Sequence, residues 1–372
     1  MRSCHPGSFF VFVFLSHIKQ ISLRSVFPEE QEQMAKNTIG VLLVNLGTPD
    51  SPATGDVRKY LKEFLMDGRV IDIPVIPRTL LVKGIIAPFR APKSAKEYAK
   101  LWEDRGSPLK FYGYDVRDML QEKLGSDYKV ALGMRYQSPS IEEALDELKA
   151  VNVSRIIVIP LFPQYASATT GSVSEKVNSL VSQWQIIPSI AHINQFMDHP
   201  KFIEAFASNG KKKMDEKEYD HVVFSYHGVP ERHIKKGSVG NQCQLGTCCN
   251  VFHERNRYCY RAQCFYTSRL LAEALGLKED QYTTTFQSRL GKDPWIQPYT
   301  DEFLKTLPAM GKKKVLAFSP AFIADCLETT LEVGEEFKEE FEHAGGEVWD
   351  LVPSLNDSPL WVECLEDLVL KA

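Results

Sequence analysis

The chain contains six short apolar runs, each of the right length for one buried strand. The first, IGVLLVNLG at Ile39–Gly47, is almost uninterrupted and ends in the turn residues Gly47, Thr48 and Pro49. Continuous runs of this kind are typical of strands whose two faces are both covered by helices. The other five runs lie at 129–134, 155–162, 221–226, 314–320 and 347–352.

Helical patterns fall between these runs. Ser140, followed three residues later by Glu143, fits a capping box at a helix start, and an apolar helical face follows it. Pro200 stands where the first turn of another helix would begin. Strands that alternate with helices predict an α/β fold with parallel sheets and right-handed crossovers. Because the rhythm is similar on either side of about residue 190, we predict two doubly wound, Rossmann-like domains.

Composition and motifs exclude several classes of protein. The chain has 372 residues, of which 44% are hydrophobic and 25% charged, and a formal net charge of -4. These values exclude a largely disordered chain. The nearly neutral net charge argues against a dedicated nucleic-acid binder, which usually has an excess of basic residues. The first turn, GTPDSP, lacks the G-x-G-x-x-G fingerprint, and G-x-x-x-x-G-K-[ST] does not occur. The sequence therefore gives no positive sign of a nucleotide site.

The first 33 residues differ from the rest of the chain. SFFVFVFL at 8–15 resembles the apolar part of a signal peptide, but no small-x-small cleavage pattern follows it. No apolar run approaches the roughly 20 residues that a membrane-spanning helix needs. We interpret residues 1–33 as a leader outside the fold and Met34 as the natural first residue, with a targeting segment as the alternative.

Candidate catalytic residues follow two of the predicted strands. In open parallel sheets, ligands bind beyond the carboxyl ends of the strands. His227 ends one strand and is able to accept a proton or bind a metal there. Asp325 and Glu328 come soon after another strand, where carboxylates bind hard or borderline cations. A histidine that faces a glutamate across two strand tips predicts a transient divalent-metal site. Further carboxylates continue at helical spacing and are consistent with a solvated face: Glu332, Glu335 or Glu336, and Glu339.

Five of the eight cysteines lie close together, as Cys243-x4-Cys248-Cys249-x9-Cys259-x4-Cys264. Nearby positive charge stabilises thiolates, and four arginines flank this segment: Arg255, Arg257, Arg261 and Arg269. Four thiolates hold zinc or an iron–sulfur cluster, although the spacing matches neither a zinc ribbon nor a plant-type ferredoxin. We predict that four of the five cysteines bind metal. The cysteine that is not needed as a ligand would be one of the adjacent pair, Cys248 or Cys249. Cys326 and Cys364 fit helical core positions.

Six segments together resemble the ferrochelatase family from Ile39 to the end of the chain. They are VNLGTPDSP, GMRYQSPS, PLFPQYASATTGS, SYHGVPERH, FQSRLGKDPWIQPYTDE and AFIADCLETTLE. Ferrochelatases insert Fe²⁺ into a porphyrin without ATP, which agrees with the missing nucleotide motifs. The resemblance implies that this chain inserts Fe²⁺ into protoporphyrin IX to give protohaem, the terminal step of haem biosynthesis.

The resemblance also implies a domain organisation. Residues 34–190 would form the N-terminal Rossmann-like domain, with the last helix, in 355–372, packing back on it. Residues 191–354 would form the C-terminal domain, including the cysteine-rich insertion at 238–264. The porphyrin would bind in the cleft between the two domains.

The family's functional residues carry over onto matching positions. His227 and Glu328 would be the catalytic pair and would hold the Fe²⁺ substrate. The other matches are an acidic track of Asp325 and Glu332, and a porphyrin pocket of Leu46, Arg135, Tyr136 and Trp295. The cysteine segment resembles that of a subgroup with an internal [2Fe–2S] cluster, with zinc as the rival metal. Residues 81–93 resemble a mobile lip, which would either contact a membrane peripherally or only cover the substrate.

Two other functions are consistent with parts of the sequence. One is a related chelatase that acts on coproporphyrin III or on another tetrapyrrole and metal. The other is a regulatory protein whose cysteine segment senses iron or contacts nucleic acid, but one short basic segment is too little to support it. We therefore expect no nucleic-acid partner. We expect a cytoplasmic location, with peripheral attachment to the inner face of the membrane as a variant.

Overall fold

The strands form two parallel sheets of four strands each. The computed structural model describes residues 37–289, 291 and 293–372, so the predicted leader lies outside the described residues. The first sheet has the order β2-β1-β3-β4, with β1 at Ile39–Gly47, β2 at Tyr128–Tyr136, β3 at Arg155–Pro160 and β4 at Ser189–His192. The second sheet has the order β6-β5-β7-β8, with β5 at His221–His227, β6 at Tyr282–Gln287, β7 at Lys314–Phe318 and β8 at Val348–Leu351. Both sheets repeat one doubly wound topology, which confirms the predicted Rossmann-like α/β fold.

Helices connect successive strands. In chain order they are α1 (Thr54–Met66), α2 (Val75–Thr79), α3 (Ala87–Leu101), α4 (Pro108–Leu124), α5 (Ile141–Ala150), α6 (Ser172–Val181), α7 (Pro200–Glu216), α8 (Glu231–Gly237), α9 (Tyr260–Leu275), α10 (Thr300–Phe303), α11 (Phe337–His343) and α12 (Pro359–Lys371). Three π-helical segments occur at Leu80–Ile86, Ser167–Gly171 and Glu328–Glu336. Short 3₁₀ turns lie at Gly125–Asp127, Val239–Asn241, Glu254–Asn256, Glu279–Gln281, Leu304–Thr306 and Pro308–Met310.

The two helix starts predicted from sequence are confirmed. Ser140 Oγ accepts a hydrogen bond from the Glu143 amide at 3.1 Å, and the Glu143 carboxylate accepts one from the Ser140 amide at 2.6 Å. These two bonds form the expected capping box of α5. Pro200 is in the first turn of α7, where its missing amide proton costs nothing.

Strand β1 is buried on both faces, which explains its continuous apolar sequence. Successive side chains of a strand point to opposite faces. Leu42 and Val44 pack in one hydrophobic cluster with residues of α5 and α6, whereas Val41 and Leu43 pack in another with residues of α4. No position of the run from 41 to 44 therefore faces solvent.

Two strands escaped the sequence pattern, and both lie at sheet edges. Strand β4 has four residues and only partial burial, so it has no apolar run to detect. Strand β6 reads YTTTFQ, and its threonines suit a strand but are not apolar. Because β4 pairs with β3, the first sheet extends to His192, slightly beyond the expected division at residue 190.

The last helix, α12, bridges the two halves of the chain. Trp361 is fully buried and its ring lies 5.4 Å from that of Phe196. On the side of the first sheet, Lys123 of α4 pairs with Glu366 at 3.6 Å, and Arg155 donates to the carbonyl of Ala372 at 2.6 Å. Among the described residues, no helix is long and apolar enough to cross a membrane.

Candidate active site at the strand tips

His227 is the last residue of β5, and its imidazole has a defined orientation. Nδ1 lies 2.7 Å from the carbonyl oxygen of Gly228. A carbonyl only accepts hydrogen bonds, so Nδ1 carries a proton, and in the neutral form of the ring Nε2 has a free lone pair. The ring is half-buried, with the rings of Trp295 and Phe322 at centroid distances of 6.5 and 6.4 Å. A neutral imidazole in this state can accept a proton or bind a metal through Nε2.

Gly228 allows Trp295 to pack against this strand tip. A Cβ atom at position 228 would lie 2.9 Å from the carbonyl oxygen of Gln287 and 3.2 Å from a ring carbon of Trp295. Any larger residue would push the indole away from His227. Trp295 is buried and borders the tip of β5.

Glu328 and Glu332 lie on the π-helical segment Glu328–Glu336 and not on an ordinary α-helix. A loop separates this segment from β7, so the helix begins later than the sequence pattern indicated. Gln287, the last residue of β6, donates from Nε2 to the carbonyl of Glu328 at 3.0 Å and to the carboxylate of Glu332 at 3.2 Å. π-Helical turns occur frequently at functional sites, because they change which side chains share a face.

The carboxyl of Glu332 is adapted to hold a proton. Burial raises its pKa, and the charge of Glu328 acts in the same direction. Hydrogen bonds from Ser288 and Gln287 and the charge of His227 oppose this shift. The net shift is upward, so Glu332 takes up a proton more readily than an exposed glutamate. It therefore joins His227 and Glu328 in one electrostatically coupled group.

A buried aromatic and aliphatic cluster joins the glutamate segment to the first half of the chain. Leu331 packs with residues of α1, α3 and β2, and Leu46 and Leu327 lie at its margin. Burial raises the pKa of both Tyr60 and Tyr98, and the nearby charge of Glu328 adds to each shift. The cluster therefore brings two of the predicted pocket residues, Leu46 and Tyr136, to the same region as Glu328.

Gly47 brings the tips of β1 and β2 together. Its φ of +113° is rarely adopted by other residues, and a Cβ atom there would lie only 2.0 Å from the carbonyl oxygen of Tyr136. The close approach places Leu46 beside the end of β2, where Arg135 and Tyr136 emerge.

Arg135 and Tyr136 are both anchored on Asp67, which follows α1. Asp67 accepts hydrogen bonds from Arg135 Nη2 at 2.7 Å, from Tyr136 Oη at 2.9 Å and from Ser172 Oγ. Arg135 Nε also donates to Ser172 Oγ at 2.7 Å, and its guanidinium lies over the Tyr136 ring. Burial alone would raise the pKa of Asp67, but these hydrogen bonds, one from the Arg69 amide and the charge of Arg135 lower it. Asp67 is therefore ionised and fixes both side chains.

Asp325 has a different environment from the two glutamates. Its carboxylate accepts hydrogen bonds from the Asn356 side chain at 2.7 Å and from the Ser354 amide at 3.1 Å. Its own amide donates to the Asn356 side chain at 2.9 Å. These contacts tie the loop before the π-helical segment to the loop before α12.

The cysteine-rich segment groups four of its five thiols. Cys248 and Cys249 have their sulfur atoms 3.9 Å apart, and the Gln244 amide donates to Cys248 Sγ at 3.4 Å. A hydrogen bond from Cys259 and the Arg261 guanidinium lower the pKa of Cys249, whereas sharing that proton raises the pKa of Cys259. The seven cysteines in the described part of the chain form no disulfide.

The fifth cysteine, Cys264, lies on a helix, with Cys249 and Arg261 near its thiol. Cys264 is fully buried within α9, and burial raises the pKa of its thiol well above the ordinary value. Across residues 37–289, 291 and 293–372, no three histidine, cysteine or carboxylate side chains are already arranged as a complete metal site. The chemistry of the donors nevertheless fits a thiolate-bound metal, because Nη1 of buried Arg261 has no hydrogen-bond partner among these residues and the guanidinium lies near the thiols of Cys249 and Cys264.

Comparison with known proteins identifies the family. The family profile described as Ferrochelatase matches residues 38–372. The chain belongs to the ferrochelatase family. A ferrochelatase of Legionella pneumophila (strain Lens) is 48% identical over 89% of this chain and 98% of its own length. A ferrochelatase of Coxiella burnetii (strain Dugway 5J108-111) is 44% identical over 90% of this chain and 94% of its own length. Ferrochelatases are lyases that insert iron into a porphyrin.

The fold also resembles that of another chelatase. The structure of SirB from Bacillus subtilis with Fe³⁺ aligns with a TM-score of 0.51 and covers 90% of this chain and 95% of its own. Because the sequence identity is 11%, this likeness concerns the fold alone. The resemblance to ferrochelatases seen in the sequence is confirmed by the family match and the close relatives.

Several residues of this region carried no signal in the sequence. Asp67 contacts residues 68 and 69 positions away along the chain, so its role depends on the folded structure. Gln287 and Ser288 belong to the FQSRLGKDPW segment that resembles the family, but nothing in their spacing pointed to the glutamates. Tyr60 and Tyr98 are ordinary apolar-face residues of α1 and α3 by pattern.

Asp67→Asn should destabilise the protein in a pH-dependent manner. At pH 7 the loss of a buried, fully paired carboxylate should lower the free energy of unfolding by about 2–4 kcal/mol. The pKa of Asp67 is lowered in the folded state, so its contribution is present above the ordinary carboxyl pKa and is lost as pH falls through the lowered value. Urea unfolding should therefore show a constant difference from wild type above about pH 5, narrowing below about pH 4.

Asp115→Asn is the matched control, because Asp115 pairs with Arg105 at the surface. It should change the stability little at any pH. An Asp67→Asn protein as stable as wild type at pH 7, or a difference that does not narrow in acid, would contradict the anchoring role of Asp67.

Proposed function

We propose that the protein inserts Fe²⁺ into protoporphyrin IX to give protohaem, the terminal step of haem biosynthesis. The observation that carries this proposal is the convergence of His227, Glu328 and Glu332 beside a buried aromatic wall, in a chain of the ferrochelatase family. We propose further that the two sheets act as two domains and that the macrocycle binds between their carboxyl edges. The pocket walls would come from Leu46, Arg135, Tyr136 and Trp295.

Insertion requires the loss of two pyrrole protons as the metal enters the ring. In its neutral form His227 has a free lone pair on Nε2, so it either accepts a pyrrole proton or holds Fe²⁺ before transfer. Glu328 is its partner in the same step. Glu332, whose pKa is raised, takes up a proton and passes it away from the ring. A pocket that holds the macrocycle puckered exposes the nitrogen lone pairs and lowers the barrier.

The acidic track that we assign runs from Glu328 to Glu332. Asp325 was predicted to belong to this track, and we keep it as a proposed member. Its hydrogen bonds with Ser354 and Asn356 indicate that it also holds the loop that precedes Glu328.

His227→Ala and Glu328→Ala should each slow Fe²⁺ insertion into protoporphyrin about a hundredfold or more, because each removes a group that touches the metal or the proton. The rate is measured anaerobically from the absorbance of the haem product. Thermal unfolding should stay near that of wild type, since neither side chain belongs to the core. Coproporphyrin III in the same assay separates the two candidate substrates.

His343→Ala and Glu342→Ala serve as matched controls, since both residues are exposed at the end of α11. They should keep the wild-type rate. Near-normal turnover in a His227→Ala or Glu328→Ala protein of normal stability would contradict the catalytic role of that residue.

We also propose that the segment binds a [2Fe–2S] cluster through Cys243, Cys248, Cys249 and Cys259. Cys243, Cys248 and Cys249 lie in the loop before α9 and Cys259 is the N-cap of that helix, whereas Cys264 lies within α9. From the sequence we expected instead that Cys248 or Cys249 would be the cysteine that does not bind metal. Bound metal would cross-link a segment that has little regular structure of its own.

The anaerobically purified protein should be red-brown and contain two irons per chain. Replacing any of the four proposed ligands by serine should bleach the visible absorbance, because a hydroxyl is a poor ligand for the cluster. Cys264→Ala and Cys364→Ala should keep the colour and act as controls. Stoichiometric zinc in a colourless protein would contradict the cluster and leave the proposed chelatase activity standing.

We propose a cytoplasmic location with peripheral membrane contact through the lip at 81–93. Ile85 and Phe89 are 58% and 79% exposed, and the same segment carries three exposed basic residues: Lys83, Arg90 and Lys93. Exposed apolar side chains beside positive charge favour an anionic lipid surface. Leu80, which is 69% exposed, extends this apolar surface by one turn.

Phe89→Ser should weaken cosedimentation of the protein with phosphatidylglycerol-containing vesicles, because it removes the most exposed apolar side chain of the lip. Ile186→Ser is the control, since Ile186 is 81% exposed in the connection between α6 and β4. Equal sedimentation of both variants and the wild type would refute membrane contact through the lip.

A further inference from the structure

The first turn of α9 contacts the active-site region at two carbonyl groups. Tyr260 Oη donates to the carbonyl oxygen of His227 at 2.8 Å. Arg261 donates from Nε and Nη2 to the carbonyl of Gln297 at 3.2 and 3.0 Å, on the loop that carries Trp295. Both residues are buried, and they are the first two residues after Cys259, which is the N-cap of α9. The cysteine segment is thus one residue away from a contact with His227.

The contact from Tyr260 completes the hydrogen bonding of one peptide group. The peptide bond between His227 and Gly228 has one carbonyl and one amide proton. The carbonyl accepts from Tyr260, and the amide of Gly228 donates to the carbonyl of Gln287 at 2.7 Å. The next carbonyl, that of Gly228, accepts from Nδ1 of the same histidine. The direction of the imidazole therefore depends on the orientation of this peptide plane.

The geometry points to Tyr260 as a positioning residue for His227, and to the first turn of α9 as the connection between the cysteine segment and the active site. Tyr260 acts by holding the 227–228 peptide plane and not by contact with metal or porphyrin. Since Cys259 begins the same turn, a change at its thiol reaches His227 through a single hydrogen bond. This inference rests on the proposed function, because it assigns His227 its role in iron insertion.

Tyr226 offers a close control for Tyr260. It precedes His227 on β5, is fully buried, and its hydroxyl lies 3.0 Å from that of Ser268 on α9. Tyr226→Phe and Tyr260→Phe therefore each remove one buried hydroxyl contact between β5 and α9. Only the contact from Tyr260 reaches the 227–228 peptide.

Tyr260→Phe should lower kcat for iron insertion about threefold to tenfold, the effect of one hydrogen bond, with an unchanged KM for porphyrin. Hydrogen exchange measured by mass spectrometry should be faster in peptides covering 221–230. Tyr226→Phe should lower the melting temperature by about as much as Tyr260→Phe does, because each removes one buried hydroxyl contact. Unlike Tyr260→Phe, it should keep the wild-type kcat. A wild-type kcat and wild-type exchange in Tyr260→Phe, or the same loss of kcat in both variants, would overturn the inference.

The connection to the cysteine segment is tested with Cys259→Ser. This change should also accelerate exchange in 221–230, and adding Tyr260→Phe to it should produce little further acceleration. Independent effects of the two changes, or no effect of Cys259→Ser on these peptides, would refute the connection. Exchange does not depend on turnover. A protein that fails to insert iron would therefore contradict the proposed function, whereas failure of the inference would appear in the exchange data.

Discussion

The peptide group between His227 and Gly228 is the point on which the candidate site depends. Three segments distant in sequence meet there, because Tyr260, Gln287 and the imidazole of His227 all bond to it or to the next carbonyl. An unpaired buried carbonyl or amide is costly, so this network keeps a single arrangement. Because Nδ1 is hydrogen-bonded to the carbonyl oxygen of Gly228, the ring can present only Nε2 to a substrate. The local backbone thus determines the chemistry available to the side chain.

A second constraint arises from the parallel sheets. All strands of a parallel sheet end at one edge, so residues that follow β5, β6 and β7 gather without any direct sequence relation. The π-helical segment after β7 then contributes Glu328 and Glu332 to this edge, and Leu331 packs against helices of the first half. The same short segment therefore supplies carboxylates to the site and apolar contacts between the halves. This arrangement explains why a charged group and a hydrophobic cluster adjoin so closely.

Features with a local signal were predictable from the sequence, and features that depend on distant partners were not. The buried strands and the capping box at Ser140 have local patterns, and His227 follows its strand directly. The edge strands lacked an apolar run, and α-helical spacing does not distinguish a π-helical turn. The anchoring role of Asp67 is defined only by Arg135 and Tyr136 across the fold. Cysteine spacing grouped five thiols but did not reveal that Cys264 lies within α9 while the other four precede that helix.

A crystal structure of the protein with protoporphyrin bound tests the central claim most directly. We predict a macrocycle between the edges of the two sheets, packed against Trp295 and Tyr136, with its pyrrole nitrogens facing Nε2 of His227. An open groove of about 820 Å³ between α7 and α9, lined by residues such as Ile203 and Leu270, provides a clear alternative location. A porphyrin bound in that groove, or one whose nitrogens face away from His227, would contradict the proposed role of His227.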